Sequence, residues 1–167
     1  MSRKKLIAGN WKMYGSHAAN AELLADIAGA RPFVAEVAVC VPFPYLSETA
    51  VALAGTDIHW GAQDCSAHEQ GAYTGEVSAA MLADLGCRYV LVGHSERRQY
   101  HAESDQLVAD KAKAALARGI TPIVCVGETL AQREASETEA VVKRQLSAVI
   151  HTLAHCAGEM VVAYEPV

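Results

Sequence analysis

The chain has 167 residues, of which 51% are hydrophobic and 20% are charged. This length predicts a single domain over residues 1–167, since globular domains average roughly 150 residues. With 14 Lys and Arg against 19 Asp and Glu, the net charge of −5 gives no electrostatic reason to expect nucleic acid or an anionic membrane as a partner.

Short apolar runs alternate with helical patterns along the chain. Six runs predict strands at Lys5–Gly9, Val37–Val41, Ile58–Gln63, Tyr89–Gly93, Pro122–Gly127 and Met160–Tyr164. The helices predicted between them are Ala21–Ala28, Tyr45–Leu53, Val77–Leu85, Ser104–Arg118 and Ser136–Leu153. Several strands are apolar at successive positions, which is typical of parallel strands covered on both faces. The alternation predicts an α/β fold.

The last predicted helix has both a start signal and an apolar stripe. Ser136 and Glu139 have the spacing of a capping box. The apolar residues at helical spacing are Val142, Leu146, Val149 and Leu153.

Chain length alone favours an open, doubly wound sheet. That fold usually carries G-x-G-x-x-G in its first strand-to-helix turn, and a P-loop would need G-x-x-x-x-G-K-[ST]. The first turn here, Gly9–Gly15, has neither pattern. Chain length therefore supports an open sheet, but no sequence motif does.

Cysteine and histidine spacings give no sign of a disulfide framework or a metal site. The 5 cysteines are an odd number, widely spaced and without C-x-x-C, and no H-E-x-x-H occurs among the 7 histidines. The apolar run Leu6–Ala8 is too short for a signal peptide or a membrane span. We therefore expect a cytoplasmic protein that binds neither a metal nor a membrane.

Polar side chains follow the predicted strands. They are Asn10 and Lys12 after the first, Gln63 and Asp64 after the third, His94–Glu96 after the fourth, Glu128 after the fifth and Glu165 at the end of the sixth. The carboxyl ends of parallel strands share one edge, where β/α folds bind their ligands. An acid, a base, a cation and an amide on one rim indicate a catalytic site.

Three of these residues suggest the chemistry. A partly enclosed Lys12 ammonium suits a phosphate or a developing oxyanion. His94 precedes Ser95, a candidate N-cap, and the helix dipole there favours a neutral imidazole that still donates one hydrogen bond. Pro166 biases Glu165 toward extended backbone angles, and a carboxylate half-buried against apolar neighbours can take a proton from carbon. These features predict proton transfer next to a carbonyl of a small anionic substrate.

Each residue also has a purely structural interpretation. A single lysine or glutamate at a strand end is commonly exposed, and a single histidine is more often structural than catalytic. For Arg97 and Arg98, an ion-pair network that fixes the loop is the simpler expectation.

Five segments resemble the triosephosphate isomerase family. They are Asn10–Lys12, Gly71–Glu76, Gly93–Arg98, Cys125–Glu128 and Ala163–Val167, and they match that family in order and spacing. The resemblance implies a (β/α)8 barrel, which takes roughly 250 residues, so that this chain holds about six β/α units without strands seven and eight. It also implies interconversion of dihydroxyacetone phosphate and glyceraldehyde 3-phosphate through an enediolate, in glycolysis and gluconeogenesis, without a cofactor.

The resemblance assigns a role to individual residues. Glu165 is the expected base, and neutral His94 polarises the carbonyl. Lys12 and Asn10 bind the substrate and stabilise the enediolate. The expected supporting residues are Ser95, Glu96 and Cys125. Tyr14 and Asp64 depart from the family, which commonly has a small polar residue and an asparagine at these positions.

The resemblance also implies a homodimer. Residues Gln70–Glu76 resemble the family's dimer loop, which inserts beside the partner's active site near Lys12. The expected interface residues are Met13, Tyr73, Thr74 and Gly75.

In this family the chain continues past the base into a mobile lid and two further strands, whose loops bind the phosphate. We therefore expect the first and last strands of the 167 residues to be edges with exposed apolar surface. The alternative hypothesis is a catalytically incompetent fragment that acts only as a folding or assembly unit. Another phosphate-handling β/α enzyme is a third option, but it does not account for five motifs.

Overall fold

The computed structural model describes residues 5–166. One sequence prediction falls partly outside the described residues: the last position of the Ala163–Val167 motif. The elements are β1 (Leu6–Asn10), α1 (His17–Gly29), β2 (Glu36–Val41), α2 (Leu46–Leu53), β3 (Ile58–Ala62), α3 (Ala79–Asp84), β4 (Tyr89–Val92), α4 (Ser95–Tyr100), α5 (Asp105–Leu116), β5 (Thr121–Val126), α6 (Leu130–Glu134), α7 (Thr138–Leu153) and β6 (Val161–Tyr164). Short 3-10 helices lie at Phe43–Tyr45 and Ala154–Glu159.

Six parallel strands form one sheet in the order of the sequence, β1-β2-β3-β4-β5-β6. Each strand pairs with the next, as Ile7 does with Val37 and Cys125 with Ala163. A doubly wound sheet reverses its strand order at a switch point, and no reversal occurs in the part of the chain described. The length-based expectation of an open doubly wound sheet is therefore wrong, and the curled arrangement is that of an incomplete (β/α)8 barrel.

Successive side chains of each strand face opposite sides of the sheet, which gives two apolar cores. The larger core lies between the outer face and the helices and includes Val90, Val92 and Val124. The smaller core lies on the inner face and consists of Ala38, Cys40, Tyr89, Leu91 and Ile123. Both faces of the central strands are thus covered, as their continuous apolar sequences predict.

The two edges of the sheet are not covered in this way. Ile7 on β1 is 62% exposed, and Val162 and Tyr164 on β6 are 44% and 51% exposed. The expectation of apolar surface at the first and last strands is confirmed. Within residues 5–166, every helix is too short or too polar to cross a bilayer.

The start of α7 differs from its prediction. Ser136 has a φ of 61°, in the left-handed region, and the N-cap is Glu137, which makes no capping bond with its side chain. The predicted capping box is therefore wrong, and one is found instead at the start of α6, between Thr129 and Gln132. The buried stripe of α7 is Val141, Gln145, Val149 and Leu153, so the predicted Val142 and Leu146 flank it.

A buried cluster of charges holds α4 and α5 against the loop after β3. Lys111 donates to Asp64 Oδ1 at 2.7 Å and to Glu103 Oε1 at 2.5 Å. Arg97 contacts Asp64 Oδ2 at 3.0 Å and Glu103 Oε1 at 2.8 Å. Arg98 of the same helix pairs with Asp105 at 2.5 Å. The ion-pair interpretation of the two arginines is confirmed.

The pKa values in this cluster depend on two opposing effects, burial and contacts with groups of opposite charge. Burial alone would raise the pKa of Glu103, but hydrogen bonds from Lys111 and Arg97 outweigh it and lower that pKa below its usual value. Burial raises the pKa of Asp64 even beside Lys111. Burial would lower the pKa of Lys111, and its two carboxylate partners raise it. Lys111 and Arg97 thus both oppose the effect of burial on the two carboxylates.

We predict that Lys111→Met lowers the free energy of unfolding by about 3–5 kcal/mol, because it leaves two buried carboxylates with one cation. Lys113→Met, at an exposed position of the same helix, changes it by no more than about 0.5 kcal/mol. The lysine stabilises the ionised carboxylates, and this stabilisation is lost as falling pH protonates them. The loss in Lys111→Met is therefore larger near pH 7 than near pH 4. Equal urea midpoints for the two variants at neutral pH would contradict this account.

Candidate active site

A cleft of about 630 Å³ opens at the carboxyl edge of the sheet. Its lining includes Asn10, Lys12, Gln63, His94 and Glu96. Glu165 lines a smaller neighbouring cavity together with His94, Ser95, Cys125 and Gly127. His94 is thus common to both spaces. Because all neighbouring strands are parallel, the carboxyl ends of β1, β4, β5 and β6 lie at this one edge.

The loop carrying Lys12 is held in an uncommon backbone conformation. Lys12 has a φ of 53°, a region that side chains other than glycine rarely adopt. Its N–H donates to Asn10 Oδ1 at 2.9 Å, and Gln63 Nε2 donates to its carbonyl at 2.9 Å. Gln63 also donates to the Cys40 carbonyl at 3.0 Å, which ties the loop to β2. The surrounding hydrogen bonds thus offset the cost of this conformation.

The Lys12 ammonium is paired across the cleft. Nζ lies 2.8 Å from Glu96 Oε1, and both side chains are 45% exposed. The hydrogen bond from Glu96 raises the pKa of Lys12, and the same bond lowers the pKa of Glu96. An exposed ion pair adds little stability, so the main effect is to orient a charged ammonium. Lys12 is an exposed residue in the structure, and its ammonium is held by Glu96 rather than enclosed.

His94 is the N-cap of α4, so the prediction of Ser95 as N-cap is wrong. The backbone N–H of Glu96 donates to His94 Nδ1 at 3.2 Å. Glu96 Oε2 also lies 3.4 Å from Nδ1, but a proton on Nδ1 would face the backbone N–H. A neutral ring with Nδ1 as acceptor carries its proton on Nε2. That nitrogen lies 3.8 Å from Glu165 Oε2.

Glu165 is more exposed than its apolar neighbours suggested. Its side chain is 69% exposed, so the half-buried setting predicted for it is wrong. The reason is that β6 pairs with β5 on one side and has no second neighbour among residues 5–166. The backbone is nevertheless fixed, because Glu165 N donates to Val126 O at 2.9 Å.

Cys125 lies beneath the histidine and the glutamate. Burial raises the pKa of its thiol to about 11, with Arg98 opposing and Glu165 adding to the shift. A thiol that stays protonated at neutral pH is a poor nucleophile. This position therefore suits packing beneath the site.

Glu128 does not belong to this rim, contrary to the sequence prediction. Its side chain is fully buried and accepts hydrogen bonds from Thr138 Oγ1 at 3.0 Å and Arg133 Nη1 at 3.1 Å. Tyr164 also donates to it, at 3.0 Å to Oε1. Burial would raise the pKa of Glu128, but a hydrogen bond from its own backbone N–H, together with these side-chain hydrogen bonds, lowers it. The carboxylate thus anchors the outer side of β6.

The residues expected at a dimer interface are all exposed. Met13 is 94% exposed and Tyr73 is 45% exposed, and Thr74 and Gly75 also face solvent. The Tyr73 ring stacks on His68 with centroids 3.9 Å apart, which stiffens the loop.

Sequence reasoning missed two glutamines beside this edge. Gln63 was noted only as a polar residue after a strand, and its amide fixes the Lys12 loop. For Gln145, the only signal in the sequence is a polar residue at helical spacing between Val141 and Val149. Residues 5–166 contain no group of three or more His, Cys, Asp and Glu placed to hold a metal ion.

Comparison with known proteins bears on the same residues. The model of the triosephosphate isomerase family matches residues 5–167. The triosephosphate isomerase of Albidiferax ferrireducens is 64% identical over 166 residues, which cover 99% of this chain and 67% of that protein. That of Paracidovorax citrulli is 63% identical, covering 100% and 68%, and that of Bordetella pertussis is 60% identical, covering 99% and 67%. With its sequential parallel sheet and a match over nearly all of its length, the chain belongs to the triosephosphate isomerase family of enzymes.

Proposed function

We propose that this chain carries the acid, base and cation of an isomerase that interconverts dihydroxyacetone phosphate and glyceraldehyde 3-phosphate. The observation that supports this most is the approach of His94 Nε2 to Glu165 Oε2, at 3.8 Å beside the Lys12 cleft. A hydrogen-bond donor next to a carboxylate base suits proton abstraction from a carbon adjacent to a carbonyl. The reaction proposed needs no cofactor.

In the first step, a Glu165 oxygen takes a proton from C1 of dihydroxyacetone phosphate. The C–H electron pair becomes the C1–C2 double bond, and the carbonyl pair moves onto the C2 oxygen. His94 Nε2–H donates a hydrogen bond to that oxygen, whose charge is greatest in the enediolate. The C2 oxygen then takes the proton of His94 Nε2, and that nitrogen takes the C1 hydroxyl proton in its place. As an electron pair on the C1 oxygen forms the carbonyl, the pair of the C1–C2 double bond takes the proton from Glu165 at C2, which completes the aldehyde.

Lys12 and Asn10 bind the substrate in this proposal. The ammonium of Lys12 is charged and 45% exposed, so it is available to a phosphate or an enediolate oxygen. Glu96 keeps it pointing across the cleft, and Asn10 and Gln63 fix the backbone from which it extends. An interaction preorganised in this way needs little rearrangement during the reaction.

A second candidate function is that of an assembly unit without catalytic activity. The observation that favours it is the 69% exposure of the proposed base, together with the exposed apolar residues Ile7 and Tyr164 on the edge strands. A base open to water lacks the excluded environment that strengthens electrostatic catalysis. The relatives are longer than the chain, since the aligned residues cover 67% of the Albidiferax ferrireducens protein.

We predict that the 167-residue chain, with its length verified by intact mass, has at least about 100-fold lower kcat/KM than a fusion carrying the remaining third of the Albidiferax protein. A coupled isomerase assay measures both proteins. Near-equal turnover would contradict the assembly-unit alternative. An inactive, folded fusion would contradict the proposed isomerase function.

We predict that Glu165→Gln in that fusion lowers kcat by at least about 100-fold, because an amide cannot accept the proton. Glu159→Gln, at an exposed position before the same strand, is the matched control and leaves kcat unchanged. Thermal melts monitored by circular dichroism show whether both variants keep the fold. Unchanged turnover in folded Glu165→Gln would exclude this residue as the base.

We further propose that residues 1–167 act as one domain in a cytoplasmic homodimer, with Met13, Tyr73, Thr74 and Gly75 at the interface. The exposure of all four supports this, and the stacked Tyr73 presents a rigid aromatic surface of the kind that dominates binding energy.

We predict that Tyr73→Asp raises the dimer Kd of the fusion by at least about 30-fold, the effect of removing one dominant interface residue. Ile150→Asp, which places the same charge on an exposed site of α7, leaves the Kd unchanged. Sedimentation velocity over a concentration series measures both constants. A monomeric unsubstituted fusion, or equal Kd values for the two variants, would refute this interface.

A further inference from the structure

Gln145 is a buried polar residue in the apolar stripe of α7. Its exposed fraction is 4%, and its neighbours along the stripe are Val141, Val149 and Leu153. Burial of an amide costs free energy unless its donor and acceptor are both paired. An aliphatic residue would pack on this stripe without that cost, so the partners of the amide indicate what it does.

Both polar atoms of the Gln145 amide bind one residue, Gly127. Oε1 accepts a hydrogen bond from Gly127 N at 2.9 Å, and Nε2 donates to Gly127 O at 3.2 Å. The two bonds hold the N–H and the carbonyl of the same residue. Gly127 directly follows β5, so Gln145 fixes the direction in which the chain leaves that strand.

Gly127 is in turn in close contact with the backbone of Glu165. A Cβ built on Gly127 would overlap the carbonyl oxygen of Glu165. On the preceding residue, Val126 O accepts the hydrogen bond from Glu165 N at 2.9 Å. Val126 and Gly127 therefore set the backbone position from which the Glu165 side chain extends, and Gly127 and Glu165 line the same small cavity as His94.

We propose that Gln145 is a positioning residue for the reaction: it clamps the Gly127 peptide, against which the backbone of Glu165 rests. This inference rests on the proposed function, in which Glu165 is the base. Glu128 anchors the neighbouring Tyr164 hydroxyl at 3.0 Å, so the end of β6 is held on a second side. Fixing the backbone matters because a displacement of about 1 Å can cost about 100-fold in rate.

The first test is Gln145→Met in the fusion described above, because Met has a similar shape and makes neither hydrogen bond. We expect kcat to fall at least about tenfold with KM within about twofold, since the substrate-binding residues Lys12 and Asn10 are untouched. Val149→Ala, one turn further along the same buried stripe, is the matched control. It weakens helix packing without touching Gly127, and we expect it to lower the melting temperature but not kcat.

The second test is a pH profile of Gln145→Glu. An ionised carboxylate at this position accepts from Gly127 N but repels Gly127 O. A protonated carboxyl makes both contacts, as the amide does. Burial raises the pKa of such a carboxyl, so protonation falls within an accessible pH range. The ratio of its kcat to that of the unsubstituted fusion is therefore expected to rise as pH is lowered from about 8 to about 6. The same ratio for Gln145→Met stays constant.

The outcomes separate this inference from the proposed function. An inactive unsubstituted fusion overturns the proposed function, and with it the role of Gln145. An active fusion in which Gln145→Met keeps its kcat overturns the positioning role alone. A kcat loss matched by Val149→Ala likewise overturns it, because it would reflect helix packing. Should Gln145→Met fail to fold, the pH profile of Gln145→Glu decides: a rising ratio supports positioning, and a flat ratio overturns it.

Discussion

Parallel pairing of each strand with the next one in sequence is the constraint on which the site depends. It places every carboxyl end at the same edge, so that residues as far apart in the sequence as Asn10 and Glu165 lie along that edge. The contact between Lys12 and Glu96 joins positions 84 apart in the sequence. A strand that ran antiparallel to the others would place its carboxyl end at the opposite edge, and its charged residues would not belong to the site.

Strand pairing alone does not fix the orientation of the side chains, which depends on hydrogen bonds beneath the edge. Gln63 holds the left-handed backbone at Lys12, and the Glu96 N–H sets the tautomer of His94. The buried charges around Lys111 attach α4 to the body of the fold. Each reacting group in the proposed mechanism is thus oriented by a second residue. For Glu165 that residue is Gln145, which acts through Gly127.

Much of this was predictable from the sequence, because strands and motifs are local patterns. All six strands were predicted close to their final bounds, and His94, Lys12 and Asn10 lie at the predicted edge. The capping box at Ser136 and the N-cap at Ser95 were wrong because several polar residues in a row offer competing helix starts, and backbone geometry selects one. Glu128 was misplaced because a strand-end carboxylate can turn outward, where Tyr164 and Thr138 bind it. The exposure of Glu165 follows from its place at the end of an edge strand, which the family resemblance predicts and no local pattern contains.

In the proposed function, Glu165 transfers a proton between carbon atoms through an enediolate. The most direct test of this transfer is nuclear magnetic resonance of product formed from dihydroxyacetone phosphate in D2O by the fusion protein. A carboxylate base that exchanges its proton with water before returning it would leave deuterium at C2 of glyceraldehyde 3-phosphate. We expect deuterium at C2 in product trapped after one turnover, and we expect no product with Glu165→Gln. Product that forms at a normal rate with Glu165→Gln, with or without deuterium at C2, would contradict it, because the proton would then have moved without the Glu165 carboxylate.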